Sequence, residues 1–242
     1  MKAMASKLIL YGTKKSAPTR TVLLTLKALD LDFEFREVNI WAKEQMQPEF
    51  VEKNPQHTVP TLEDGAHILV DSHAIAGYLV RKYGKDDTLY PADFYARAVV
   101  DHRLYYEAAT LFATCMKQIT GPLFQQNITD IPREKFEQIR NAYTLLETFL
   151  TKSTYMAGEH LTIADFSIVS TVSVLSVTFV AIDSNKWPKL AEWLKRLEAL
   201  PYYAEISDAA LKEYAELVHS KLPKQYEKLW KKAYEEIKSN RQ

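Results

Sequence analysis

Hydrophobic and polar positions follow two rhythms along the first third of the chain. Leu8, Ile9, Leu10 and Tyr11 form a short unbroken apolar run, the pattern of a buried strand. From Pro18 to Leu29 the apolar Val22, Leu23, Leu26 and Leu29 recur at spacings of three and four, which predicts a helix. Phe33, Phe35 and Val38 predict a second strand. Pro48 to Lys53 reads as a short helix that stops before Asn54-Pro55, because a proline pushes its predecessor out of the helical region. Val59-Pro60-Thr61-Leu62 leads into a turn at Glu63-Asp64-Gly65, and Ile68-Leu69-Val70 is a further strand. A helix then opens at Ser72, with Ile75, Leu79, Val80 and Tyr83 on one face. The order β-α-β-α-β-β-α predicts a small α/β sandwich.

After residues 85–91 the pattern is helical throughout: Ala96 to Lys117, Arg133 to Leu150, Thr162 onward, Trp187 to Leu200 and Ala209 to His219. The polar, proline-bearing stretch near residue 88 is the expected boundary between an α/β domain, 1–87, and an all-helical domain, 88–242. The uncharged run Phe166 to Ile182 is rich in Val, Ser and Thr, which lean toward strand. Upstream, however, Thr162-Ile163-Ala164-Asp165 has the form of a capping box, and Leu161 can pack on Phe166 as a staple. These predict a helix buried on all sides, slightly short for a bilayer span.

Composition narrows the classes. The 242 residues are 47% hydrophobic and 26% charged, with 31 basic and 31 acidic side chains. Such a chain can bury a core, is not disordered, and lacks the basic excess of a nucleic-acid binder. Its charge is uneven. From Ser220 to Gln242 seven bases oppose three acids, a net of +4 that leaves −4 over residues 1–219. Leu222, Tyr226, Leu229, Trp230, Tyr234 and Ile237 recur there at helical spacing, predicting a basic amphipathic C-terminal helix. Six glycines leave no phosphate loop, and the six histidines show no metal-ligand spacing. One cysteine, Cys115, fits a reducing compartment and reads as a buried, inert thiol. No signal-peptide core or membrane anchor is evident, so the expected location is cytoplasmic. Met4 is a second candidate start.

Three segments carry candidate chemistry. Ser16, before Ala17-Pro18, sits at a helix entrance; it reads either as a plain cap or as a hydroxyl donor beside an anion. Val59-Pro60 before a strand is a candidate cis bond that would turn the Val59 backbone outward, or else an ordinary turn. Asp71-Ser72 pairs an acid, suited to an ammonium group, with a candidate N-cap, suited to a carboxylate. Together they would form a clamp for the zwitterionic end of an amino acid.

These residues resemble a known family. Ser16, Asn54-Pro55-Gln56-His57-Thr58-Val59-Pro60, Asp71-Ser72-His73-Ala74-Ile75, Leu89-Tyr90-Pro91 and Leu161-Thr162-Ile163-Ala164-Asp165-Phe166-Ser167 are similar to the cytosolic glutathione transferases of the insect delta and epsilon classes. Pro201-Tyr202-Tyr203 and the helical half look most like epsilon. The resemblance covers nearly the whole chain. It implies a thioredoxin-like N-terminal domain, an all-helical C-terminal domain, a homodimer, and glutathione as co-substrate without a metal. By that resemblance Ser16 stabilises the glutathione thiolate, Val59 pairs with the cysteinyl backbone and Pro60 is the cis proline. Asp71 and Ser72 hold the γ-glutamyl end, and His57 approaches the glycyl carboxylate. Gln45 stands where many epsilon members place a histidine, and Ala17 stands where the family often has proline; at most, these weaken glutathione affinity.

The implied activity is conjugation of glutathione to lipophilic electrophiles in detoxification, with peroxidase or dehydrochlorinase side activity. The alternative is a non-catalytic carrier of hydrophobic ligands. A disulfide oxidoreductase would need a Cys-x-x-Cys, which is absent. The second-substrate pocket is expected at Phe112, Met116, Ile119, Leu123 and Phe124, residues whose helical spacing also suits plain core. Thr114 and Met116 stand where some relatives carry basic residues, so a more apolar pocket is expected. His73 reads as structural.

Overall fold

The computed structural model describes residues 8–223. Its first part follows the predicted order: β1 (Leu8–Gly12), α1 (Ala17–Ala28), β2 (Phe33–Glu37), α2 (Pro48–Lys53), β3 (Thr61–Asp64), β4 (His67–Val70) and α3 (Ser72–Tyr83). The sheet runs β2-β1-β3-β4, with β1 parallel to β2 and antiparallel to β3. Leu8 and Leu10 on β1 and Leu62 on β3 are buried against Val22, Leu26, Ile75 and Leu79 from α1 and α3. That apolar layer is why the short run at Leu8 is a central strand.

The remainder of the described chain is helical: α4 (Phe94–Tyr106), a π-helical stretch (Glu107–Lys117), α5 (Gln118–Gln125), α6 (Arg133–Leu150), α7 (Ile163–Thr178), α8 (Pro188–Glu198) and α9 (Tyr203–Lys221). The helix expected to end at Lys117 thus winds on through Pro122 to Gln125, and α9 begins six residues before the expected Ala209. The expected basic amphipathic helix falls, past residue 223, outside the described residues.

Every one of the sixteen residues of α7 is buried, as the uncharged run predicts. Its start is fixed by Asp165, which is fully buried. One carboxylate oxygen accepts from the Thr162 N–H at 2.9 Å, and the other accepts from the Met156 N–H and the Trp193 indole N–H, both at 2.9 Å. Burial raises the Asp165 pKa while these donors hold it down. Among the described residues no helix is long and apolar enough to cross a membrane.

The connector between the two parts is pinned on both sides. The Leu89 carbonyl accepts from the Ile163 N–H of α7 at 2.9 Å. Tyr90 lies against Gly77 of α3, where an added Cβ would meet its ring at 3.2 Å; the glycine is what permits that approach. The face of α7 turned toward α1 closes the gap between the sheet layer and the helical bundle.

Candidate functional site

The loop between β1 and α1 ends at Ser16, the N-cap of α1, with Pro18 in the first helical turn. The Ser16 Oγ accepts from the Thr19 N–H at 3.4 Å. A hydroxyl that caps as an acceptor keeps its own proton for another partner. Capping and anion stabilisation, set as alternatives above, are therefore compatible in one side chain. The α1 dipole adds positive potential at the same point.

Two adjoining clefts meet at Ser16. The smaller, of about 360 Å³, takes in His57, Val59, Pro60, Asp71, Ser72 and Glu107 among its lining. The larger, of about 710 Å³, is walled by Trp41, Met46, Phe112, Met116, Phe124 and Val174. Ser16, Gln45, Phe112 and Lys117 line both. The structure thus brings together all six glutathione-binding candidates, Gln45, His57, Val59, Pro60, Asp71 and Ser72, in the lining of the smaller cleft with Ser16.

The Val59-Pro60 bond is cis. No described residue pairs with the Val59 backbone N–H or C=O, so both remain open to a bound chain. The loop owes its shape to the buried Asn54. Its Nδ2 donates to the Thr58 carbonyl and to Thr61 Oγ1, both at 2.9 Å, and its Oδ1 accepts from the Gln56 N–H. His57 sits in that loop with φ +45° and is exposed. The Gln45 Oε1 is buried without a partner among the described residues, an amide end with unused hydrogen-bonding capacity.

At α3 the cap is Asp71, not Ser72 as the sequence suggests. Asp71 takes the unusual φ of +71°, and its Oδ1 accepts from the N–H groups of His73 at 2.9 Å and Ala74 at 3.1 Å. Those two bonds leave Oδ2 for a cation. Ser72 becomes the first helical residue, and an N–H there has no acceptor within the helix.

Behind this corner lies a buried polar chain that sequence reading missed. His73 Nε2 is 2.6 Å from Ser167 Oγ and 3.0 Å from Glu107 Oε2, and the Thr171 hydroxyl donates to Glu107 Oε1. Glu107 is almost fully buried at the start of the π-helical stretch. His73 is thus more than a packing residue: it ties the α3 corner to α7.

Known proteins bear on this geometry. Residues 10–87 match the N-terminal domain of the glutathione S-transferases, and residues 106–201 match their C-terminal domain. This chain belongs to the glutathione S-transferase family. An epsilon-class glutathione S-transferase from the housefly, Musca domestica, is 54% identical, with a TM-score of 0.87, covering 89% of this chain and 98% of that one. A glutathione transferase homologue from Drosophila mojavensis, solved with bound glutathione, is 47% identical, with a TM-score of 0.87, covering 90% and 98%. Glutathione S-transferase 1 of Manduca sexta is 41% identical over 214 residues, 88% of this chain and 98% of that one. The thioredoxin-like sheet followed by a helical domain is this family's fold.

Within this family frame, the expected second-substrate residues divide by helix face. Phe112, Met116 and Phe124 line the larger cleft, with Thr120 between them. Ile119 and Leu123 do not; with Cys115 they lie along the neighbouring face, buried in the core. Burial pushes the Cys115 thiol up to about 11, in keeping with an inert cysteine. The cleft also carries charge. Thr114 is turned away, its hydroxyl donating to the Ala109 carbonyl, while Lys15, Lys43 and Lys117 line it.

Arg20 gives no signal in the sequence, because a lone arginine in a helix reads as surface. It is wholly buried, donating from Nη1 to the Lys14 carbonyl at 2.9 Å and from Nη2 to the Ser170 carbonyl of α7 at 2.6 Å. Burial lowers its pKa to about 10, so it stays charged at neutral pH. Arg20→Met strands the Lys14 carbonyl and frees the loop that ends in Ser16. Urea unfolding should show a loss of about 2 kcal/mol, with a fall in kcat/KM; an unchanged midpoint and activity would remove Arg20 from this role.

Proposed function

We propose that the protein conjugates the glutathione thiolate to lipophilic electrophiles, with residues 1–87 holding glutathione and residues 88–242 the electrophile. Family membership supports the transferase activity. The observation that carries the site assignment is the position of Ser16, at the seam of both clefts with its hydroxyl proton unspent.

In this reading glutathione lies in the smaller cleft. Its γ-glutamyl ammonium meets Asp71 Oδ2, and its α-carboxylate meets the Ser72 N–H and hydroxyl. Its cysteinyl backbone pairs with Val59, and its glycyl end faces His57 and Gln45. The thiol then falls at Ser16. A free thiol titrates near 8.5, so only a few per cent is thiolate at neutral pH. The Ser16 O–H donating to sulfur, with the α1 dipole behind it, favours the thiolate and sends the proton to water. The sulfur attacks the electrophilic carbon in the larger cleft, and the leaving group departs with its bonding pair. The same thiolate can attack a peroxide oxygen, breaking the O–O bond, releasing the alcohol and leaving a sulfenic acid that a second glutathione converts to glutathione disulfide and water; or it can remove a proton while chloride leaves with the C–Cl pair, and these steps give the peroxidase and dehydrochlorinase side activities. A role in cytoplasmic detoxification fits a chain whose single cysteine is buried.

Ser16→Ala should lower kcat/KM toward chlorodinitrobenzene about 100-fold, while glutathione affinity stays within about threefold. Equal losses in binding and turnover would remove Ser16 from the chemistry. Glutathione binding by the native protein without turnover of a broad electrophile panel would favour the carrier reading.

We further propose a homodimer joined through α4. Phe94 and Tyr105, eleven residues or about three turns apart, fall on the same side of the helix and are 92% and 73% exposed, with Tyr95 beside them at 81%. Large aromatics this exposed on one helix mark an association surface. Sedimentation should give twice the chain mass for the native protein and a monomer for the Phe94→Ser, Tyr105→Ser variant; a monomeric native protein would contradict this.

A further inference from the structure

The larger cleft pairs an apolar wall with an unbalanced charge. Phe112, Met116, Phe124 and Val174 supply the wall, and three lysines, Lys15, Lys43 and Lys117, supply the charge; no Asp or Glu lines it. Lys15 is answered from outside by Glu213 at 2.6 Å. Neither Lys43 nor Lys117 makes an ion pair among the described residues. Lys43 has its backbone in the left-handed region, at φ +60°, two residues before Gln45. Lys117 closes the π-helical stretch at the seam of the two clefts, its ammonium 5.8 Å from the centre of the Phe112 ring.

An ammonium bordering an apolar wall attracts an anion more strongly than one in open water, because the wall lowers the local dielectric. A purely lipophilic substrate would use the wall and leave these charges unanswered. Resting on the transferase reading above, we propose that the larger cleft selects electrophiles bearing an acidic group, such as aromatic or unsaturated carboxylates. Their apolar body lies on the Phe112 wall and their carboxylate at Lys117 and Lys43. The acid is a handle and takes no part in bond making. With a chlorinated aromatic acid, the glutathione sulfur bonds to the ring carbon, chloride leaves with the C–Cl pair, and the thiol proton passes to water.

The test compares a chlorodinitrobenzoate with its neutral carboxamide at saturating glutathione and low salt, each rate divided by its uncatalysed rate with glutathione. Lys43 and Lys117 are both exposed, and the acid should be preferred in kcat/KM by about fivefold, the upper end for one exposed ion pair. Lys117→Gln and Lys43→Gln should each lower that preference about threefold, and added salt should lower it in the native enzyme. A preference near one, or one that neither substitution nor salt alters, overturns the proposal. So does a rise in KM for glutathione with the preference intact, which would assign the lysines to glutathione's own carboxylates. Turnover of neither compound by protein that binds glutathione would instead overturn the transferase reading on which the proposal rests.

Discussion

The guanidinium of Arg20 is the interaction on which the arrangement of the site depends. It leaves α1 fully buried and reaches two carbonyls: one in the loop that ends at Ser16 and one in α7. Ser16 belongs to the sheet-bearing part, while Phe112, Met116, Phe124 and Val174 of the electrophile wall belong to the helical part, so their relative placement must be held closely. A planar cation with two diverging N–H groups can hold both at once. Burial lowers its pKa to about 10, opposed by the nearby Tyr203 and Tyr214, so it keeps its charge.

The opposite wall of the smaller cleft is held by similar means. Asp71 accepts its unfavourable φ because its carboxylate caps α3 with two hydrogen bonds, which over-determines the conformation. The His73–Glu107–Thr171 chain then links that cap to the π-helical stretch and α7. Both sides of the site therefore converge on α7, the helix with no exposed residue. A helix buried all round is a rigid reference, and its start is itself pinned by four donors on Asp165.

How far the sequence could be read follows from this anatomy. Features set by local patterns were legible. Short apolar runs marked the strands, apolar spacings of three and four marked the helices, proline rules bounded α2, and the capping box identified α7 despite its strand-prone composition. Features set by contacts between distant segments were not. Arg20 and Glu107 look like surface charges until α7 covers them. Asp71 displaces Ser72 as the cap because its backbone φ, invisible in sequence, places its carboxylate over the helix end. The lining of the larger cleft turned on helical winding. In the π-helical stretch the N–H groups bond five residues back, and Phe112 and Lys117, five residues apart, both line the cleft.

The central claim is that Ser16 shifts the ionisation of a bound thiol. The direct measurement is the ultraviolet absorbance of the thiolate in the glutathione complex as a function of pH, for native protein and for Ser16→Ala, each referenced to glutathione bound by a protein without such a hydroxyl. The account predicts a native midpoint at least about one unit below the free value near 8.5, returning toward it in Ser16→Ala. A midpoint that is low in both proteins would mean that the hydroxyl does not stabilise the thiolate, and a midpoint near the free value in both would mean that nothing in this site does.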